Sequence, residues 1–194
     1  MRRPAWVFPA LLSACAFPVQ AHLVDTGLGP VYDGMAHFLL TPEDLLPALA
    51  LAVLAGLQGP AVARQVVVFL PSTWLLAGVL AAAFSWSWPG LPVWLPLLAL
   101  GTLVVVDRPL PPPALLMMIA ALGLLCGAAN GSAMAIAGTG MRGVVGIAAA
   151  LFVTSTLVAA AAVAWHRGRL RIAWRVVGSW IAASGLLMLG WSLR

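Results

Sequence analysis

The sequence contains no lysine and few charged residues of either sign. Only 8% of its 194 residues are charged, whereas 63% are hydrophobic. A soluble domain carries about 25% charged residues. A water-soluble fold of this length is therefore excluded, because too few charged side chains are available to cover its surface. The two cysteines lie in separate apolar stretches, which argues against a disulfide framework.

All ten basic residues are arginines, and the net charge is +5. The arginines flank apolar runs and do not alternate with aromatic residues on a polar face, which is the pattern of membrane orientation signals. Nucleic-acid binding is not expected, because phosphate contacts need a solvated basic surface. The sequence also lacks a nucleophile–base pair and the spacing of a three-ligand zinc site, so no enzymatic activity is predicted.

Residues 1–21 are typical of a cleavable export signal. Arg2 and Arg3 form a charged start, and residues 6–17 form an apolar segment of suitable length. Residues 19–21, Val-Gln-Ala, supply the small side chains that signal peptidase needs before its cleavage point. Cleavage after Ala21 would leave residues 22–194 as the membrane domain, with His22 as the mature amino terminus.

Two alternatives to this cleavage remain open. Residues 12–15, Leu-Ser-Ala-Cys, fit a bacterial lipoprotein processing site that would keep Cys15 as a lipidated first residue. The segment could also stay uncleaved as a first helix, although Pro9 and Pro18 argue mildly against it. The cut after Ala21 is favoured because Pro9 interrupts the apolar segment that lipoprotein processing would need.

The rest of the chain is predicted to be an all-α membrane protein, a compact bundle of about six transmembrane helices. Backbone groups in lipid must be satisfied internally, and apolar runs of this length can do so only as helices. The ten-residue alternation of barrel strands is absent. The predicted spans are residues 39–57, 65–84, 91–106, 114–131, 143–165 and 172–192.

The arginines predict the orientation of these spans. An exported amino terminus places six arginines in inside loops and two in outside segments, as the positive-inside rule requires. We therefore expect a multi-pass protein of a bacterial inner membrane with a periplasmic mature amino terminus. The inside arginines are Arg64, Arg108, Arg167, Arg169, Arg171 and Arg175, and the outside ones are Arg142 and Arg194.

The polar chemistry is concentrated in residues 22–44. This segment holds four of the five acidic residues and two of the three histidines, namely His22, Asp25, Asp33, His37, Glu43 and Asp44. Imidazole and carboxylate groups suit divalent transition ions, and ionisable groups at a transmembrane segment indicate a functional site. The alternative interpretation is structural, because Thr41-Pro42-Glu43-Asp44 also reads as the start of a helix with an acidic first turn.

Residues 34–46, Gly-Met-Ala-His-Phe-Leu-Leu-Thr-Pro-Glu-Asp-Leu-Leu, resemble the opening of HupE/UreJ proteins, together with Ala21-His22 and Thr26-Gly27. The resemblance implies a small signal-bearing membrane protein of a family regarded as nickel permeases. Gly34 and His37 match the family's first motif. Glu43 occupies its aspartate position, and Asp44 occupies the position of its second histidine.

A second stretch departs further from the family. Residues 126–131, Cys-Gly-Ala-Ala-Asn-Gly, are similar to the family signature His-Gly-x-x-His-Gly, with Cys126 and Asn130 in place of its two histidines. Ala133 stands where an acidic residue usually follows. Asparagine offers a weak amide oxygen, and cysteine is a softer ligand that binds only as thiolate. The alternative interpretation is structural: Cys126 is an inert buried side chain, and Asn130 forms hydrogen bonds between helices.

Two functions follow from these features. The first is transport of a divalent ion (Ni, Co, Cu or Zn), with residues 22–44 as an outer entry site and Cys126 and Asn130 lining the path. No permanently bound cofactor is expected. The second is a non-transporting accessory or assembly protein for another envelope complex, which the scarcity of polar residues in the spans favours. The expected partners are the lipid bilayer, the transported ion, and either further copies of the chain or an envelope protein, but not nucleic acid.

Overall fold

A computed structural model of the chain describes residues 25–84, 86 and 90–194. The predicted signal peptide, the cleavage point and His22 lie outside this part. Within it the chain forms helices and no strands, which confirms the all-α prediction. The helices are α1 (Pro30–Leu40), α2 (Pro42–Leu57), α3 (Pro60–Ala83), α4 (Trp94–Val106), α5 (Pro112–Ile136), α6 (Gly140–Ala164) and α7 (Gly168–Ser192).

The first predicted span is broken in two. Helix begins at Pro30 and not at residue 39, stops at Leu40 and restarts at Pro42, with a bend of 74° between α1 and α2. Thr41 has an extended backbone conformation, with ψ at 94°, as the steric demands of a following proline require. Pro42 has no N–H to donate to the preceding turn, which favours a break in the helix at this point.

By length and composition, fewer of the described helices can cross a membrane than the six that the sequence predicts. Four of the described helices are long and apolar enough to cross a membrane, namely α3, α5, α6 and α7, and α1 with α2 makes a fifth if the bent pair is one span. The third predicted span, residues 91–106, forms only the 13 residues of α4. At 1.5 Å per residue this helix is about 20 Å long, against the ~30 Å of a bilayer core.

Helix α2 lies at the centre of the bundle. Eleven of its sixteen residues are buried, and it packs against each of the six other described helices. A helix that is apolar on all sides is expected to be buried in this way. The candidate site lies at the first turn of α2, and it is therefore held in place by the most central helix of the bundle.

Glycines bring the surrounding helices into close contact. Gly127 on α5 lies against Trp74 on α3, where an added Cβ would be 2.5 Å from the Trp74 carbonyl oxygen. Gly146 on α6 leaves equally little room against the backbone of Val31 on α1. Small residues permit such backbone approach in membranes, where lipid supplies no hydrophobic drive for association. The glycines of α5 and α6 therefore serve the close packing of these helices against α3 and α1.

Helices α4 and α7 form a pair at one side of the bundle. Gly101 on α4 faces Gly178 and Ala182 on α7, and Gly185 on α7 faces Leu98 on α4. Beyond this pairing, the two helices contact the rest of the bundle mainly through α2. Clefts therefore remain between this pair and its neighbours.

Candidate functional site

Asn130 connects three elements near one end of the bundle. Its Nδ2 group donates to Oδ2 of Asp44 at 2.9 Å and to the carbonyl oxygen of Cys126, one turn earlier on α5, at 3.0 Å. Its Oδ1 accepts a hydrogen bond from Nε2 of His37 at 3.1 Å. The amide thus uses donors and acceptor together, and it ties α1, α2 and α5 into one polar cluster.

The break at Thr41 determines which side chains meet Asn130. His37 lies in the last turn of α1, and Asp44 lies in the first turn of α2. Residues seven apart share a face on a continuous helix, but here the two belong to separate helices at 74° to each other. The break before Pro42 brings the two side chains together on opposite sides of one amide, that of Asn130.

A cavity of about 220 Å³ adjoins this cluster. Its polar lining combines His37, Glu43, Asp44, Cys126 and Asn130. Asp44 and Asn130 are buried, whereas Glu43 is exposed. The remaining wall is apolar or without a side chain and is made of Gly90, Leu91, Val93, Pro96, Ala129 and Ala133. Five of the eight residues predicted for the site therefore line one cavity.

The loop before α4 covers this cavity from one side. Ser132 on α5 donates a hydrogen bond to the carbonyl oxygen of Trp86. Gly90 has a positive φ of 78°, and a Cβ built there would lie 3.5 Å from that of Ala129. Because α4 begins only at Trp94, the residues that precede it are available as part of the wall. The shortness of α4 thus shapes the site.

Two predicted residues have local roles instead. Oδ1 of Asp25 accepts a hydrogen bond from the backbone N–H of Gly27 at 2.9 Å. Oδ1 of Asp33 accepts one from the backbone N–H of Thr26 at 2.8 Å and another from its hydroxyl at 2.7 Å. Neither carboxylate lines the cavity. The Asp33 contacts hold the segment before α1 against the start of that helix, and the Asp25 contact closes a local turn within the segment.

The cluster does not form a complete metal site by itself. Among the described residues, no group of three or more histidine, cysteine, aspartate or glutamate side chains is arranged to hold a metal ion. Asn130 stands between His37 and Asp44, and its amide occupies the imidazole and one carboxylate oxygen. Cys126 carries a free thiol that is buried.

Sequence reasoning did not foresee the polar contacts at the opposite end of the bundle. Arg171 on α7 donates from Nε and Nη2 to both carboxylate oxygens of Asp107, at 2.6 and 3.0 Å. Gln58 at the end of α2 accepts a hydrogen bond from the N–H of Leu110 at 2.9 Å. One feature of the sequence could have indicated the ion pair. Asp107 is the one acidic residue outside residues 22–44, and it lies next to one of the inside arginines, Arg108.

Comparison with known proteins gives one result. Residues 10–188, nearly the whole chain, match the family model described as HupE / UreJ protein. Neither the curated proteins nor the solved structures gave a match.

Proposed function

The chain belongs to the HupE/UreJ family, and from that premise we propose that it is an inner-membrane permease for a divalent transition-metal ion. Members of this family are permease-like membrane proteins and not enzymes, and the family is associated with nickel and cobalt transport or with accessory roles. The proposed cargo is nickel, or cobalt or copper if the changed ligands have retuned the site. The cavity end would face the exported side and serve as the outer entry.

The observation that carries the proposal is the shared hydrogen bonding of His37, Asn130 and Asp44 beside the cavity. A buried carboxylate and an imidazole inside a membrane domain are costly, and such groups are characteristic of ion pathways. Imidazole and carboxylate together suit divalent ions of the nickel and cobalt type. The position at a broken helix also fits, because transporter sites form where a span is interrupted.

The chemistry of entry follows from the hydrogen bonds. With the imidazole proton of His37 carried on Nδ1, an ion between Nε2 of His37 and Oδ1 of Asn130 would meet a nitrogen and an oxygen donor there. The carboxylate of Asp44 lies on the other side of the same amide, and the exposed Glu43 would attract the cation towards the cavity. The thiol of Cys126 would become a ligand only as thiolate, which favours softer ions.

The test is equilibrium binding of nickel, cobalt, copper and zinc to the purified protein and to His37→Ala and Asp44→Asn. His166→Ala is the matched control, because that histidine lies at the opposite end of the bundle, where its Nδ1 donates to the Val163 carbonyl oxygen. Asp25→Asn tests whether the entry site extends beyond the cavity. Binding that is strongly weakened in the two cavity variants and unchanged in His166→Ala supports the proposal. Absence of binding to the parent protein refutes it.

One observation favours a second candidate, a non-transporting accessory or assembly protein. The described residues offer no three-ligand group, and Asn130 already satisfies both His37 and Asp44 without an ion. In this function the cluster would serve to hold α1 against α2 and α5. Wild-type metal accumulation in cells that lack the protein, together with loss of another envelope protein's activity, would support it.

A further inference from the structure

An apolar cleft runs between α2, α6 and α7. We call it the α7 cleft, and its volume is about 380 Å³. Helix α7 is the least covered of the four long helices. Only 17% of the residues in its most apolar stretch are buried inside the protein, against 33–44% for the other three. The cleft is lined by Leu46, Leu49, Val53, Val158, Trp174, Val176, Val177, Trp180, Ile181 and Ser184.

One end of the α7 cleft points towards a concentration of positive charge. Arg169, Arg171 and Arg175 lie within the first turns of α7, and Arg167 directly precedes the helix. Three of them have partners in the fold, namely His166, Asp107 and the carbonyl oxygen of Val105. Arg169 is exposed and has no hydrogen-bond or ion-pair partner among the described residues. It is therefore the guanidinium most available to an external anion.

Arg169 lies on the helix face that forms the cleft. Residues 169, 173, 176 and 180 follow each other at intervals of four, three and four, so they lie along one face of α7. Val176 and Trp180 of this row line the cleft. Arg169 is the second residue of α7, which places its charge at the level of the lipid headgroups when the helix spans the membrane.

Trp174 adds a second polar feature at the same end. It lines the α7 cleft, and its indole N–H is buried without a hydrogen-bond acceptor. Buried donors are almost always satisfied, so an unsatisfied one needs an explanation. This N–H has almost no accessible surface, so an ester or phosphate oxygen of a lipid in the cleft can accept from it only after the indole turns towards the cleft.

We propose that the α7 cleft and Arg169 bind one anionic phospholipid. Its acyl chain lies in the cleft, its phosphate pairs with Arg169, and an ester or phosphate oxygen accepts from the Trp174 N–H once the indole has turned towards the cleft. Guanidinium groups bind phosphate in a bidentate, charge-assisted way, and basic pockets between membrane helices select anionic headgroups. A zwitterionic lipid offers the same chain but carries its own positive charge. The site does not depend on metal transport.

The experiment measures lipid binding to the full chain in detergent by native mass spectrometry and by the thermal unfolding midpoint. The lipids are phosphatidylglycerol and phosphatidylcholine with identical acyl chains, and glycerol phosphate represents the phosphate group alone. We expect phosphatidylglycerol to stay bound and to raise the midpoint more than phosphatidylcholine does. Arg169→Gln should weaken its binding about five- to tenfold, and Trp174→Phe should weaken it by a smaller factor.

Arg194→Gln is the matched control, because it removes an arginine from the opposite end of the same helix. It should retain the full preference for phosphatidylglycerol. Equal responses to the two lipids, or an undiminished preference in Arg169→Gln, would overturn the proposal. If glycerol phosphate raised the unfolding midpoint as much as phosphatidylglycerol does, Arg169 would bind phosphate alone, and the lipid proposal would be wrong. Formation of a dimer on removal of lipid would instead show that the cleft is an interface between two copies of the chain.

Discussion

Asn130 donates a hydrogen bond at 2.9 Å to the carboxylate of Asp44, across 86 positions of sequence. Both side chains are buried, so each supplies polar contacts that lipid and apolar neighbours cannot. The same amide accepts from His37, and thus one side chain on α5 fixes the arrangement at the broken helix.

Removing this amide should destabilise the protein. In Asn130→Leu the carboxyl group of Asp44 loses its donor while it stays buried, which costs about 1–3 kcal/mol. The measurement is thermal unfolding in detergent. Ser179→Ala is the control, because that exposed hydroxyl bonds only to the Val176 carbonyl of its own helix, and its stability should stay near that of the parent. Equal stability of the two variants would show that the Asn130–Asp44 contact contributes little.

Restoring the histidine that is typical of the family should strengthen metal binding. Asn130→His would place a second imidazole beside His37 and Asp44, and three nitrogen and oxygen ligands in one cavity are the number found in protein metal sites that keep an open position. We expect nickel affinity to rise by at least about tenfold, or about 1.4 kcal/mol. Leu124→His, at an exposed position of the same helix outside the cavity, is the control for a histidine added elsewhere. Unchanged affinity in Asn130→His would mean that residue 130 does not face the ion.

Metal binding should weaken as the pH falls. Protons compete with the ion for the imidazole of His37 and the carboxylate of Asp44, so affinity is highest where these groups are deprotonated. Nickel titrations at several pH values measure the slope. In His37→Ala the residual binding should depend less on pH in the neutral range. An affinity that rises as the pH falls would contradict this ligand set.

Overpacking should distinguish buried glycines from lipid-facing ones. In Gly127→Leu and Gly146→Leu the new side chain meets the backbone of Trp74 or Val31, and the expected loss is about 1–3 kcal/mol or more. A Cβ at Gly190 meets nothing within 4 Å, so Gly190→Leu is the matched control. Thermal unfolding in detergent compares the three. Loss of stability in the control alone would contradict the packing of α5 and α6.

Reporter fusions should reveal which side of the membrane each connection faces. We expect fusions after residue 35 and near residues 88 and 138 to report outside, and fusions near residues 61, 110 and 168 to report inside. The six-to-two arginine distribution predicts this pattern. Helix α4, although short, leads from the loop beside Asn130 to the region of Gln58. An inside signal at residue 88 would exclude this orientation.

The long apolar helices could be predicted from sequence, whereas the broken one could not be predicted in full. Residues 65–84 and 172–192 lie almost entirely within α3 and α7, because uniform hydropathy over about 20 residues is a strong signal. Helix α1 was missed, since Asp33 and His37 interrupt its apolar pattern. Its close approach to α6, at Gly34 and Gly143, joins residues more than a hundred positions apart.

The candidate site was predicted as a set of residue types and not as a geometry. Concentrated acidic and histidine residues identified His37 and Asp44, and the resemblance to the family identified Asn130. Nothing local in the sequence separates Asp44, which lines the cavity, from Asp33, which bonds to Thr26. That difference depends on the direction of α1 relative to α2, which long-range packing sets.

Asn130 lies six residues before the end of α5, or about 9 Å below it along the axis. If this end lies at the outer edge of the ~30 Å bilayer core, an ion that reaches Asn130 has crossed about a third of it. The membrane potential acts on each charge with about 2.3 kcal/mol per 100 mV over the full thickness. A divalent cation therefore gains about 1.4 kcal/mol per 100 mV on reaching the cluster, roughly tenfold in occupancy. An energised membrane would thus load the cavity before any conformational step begins.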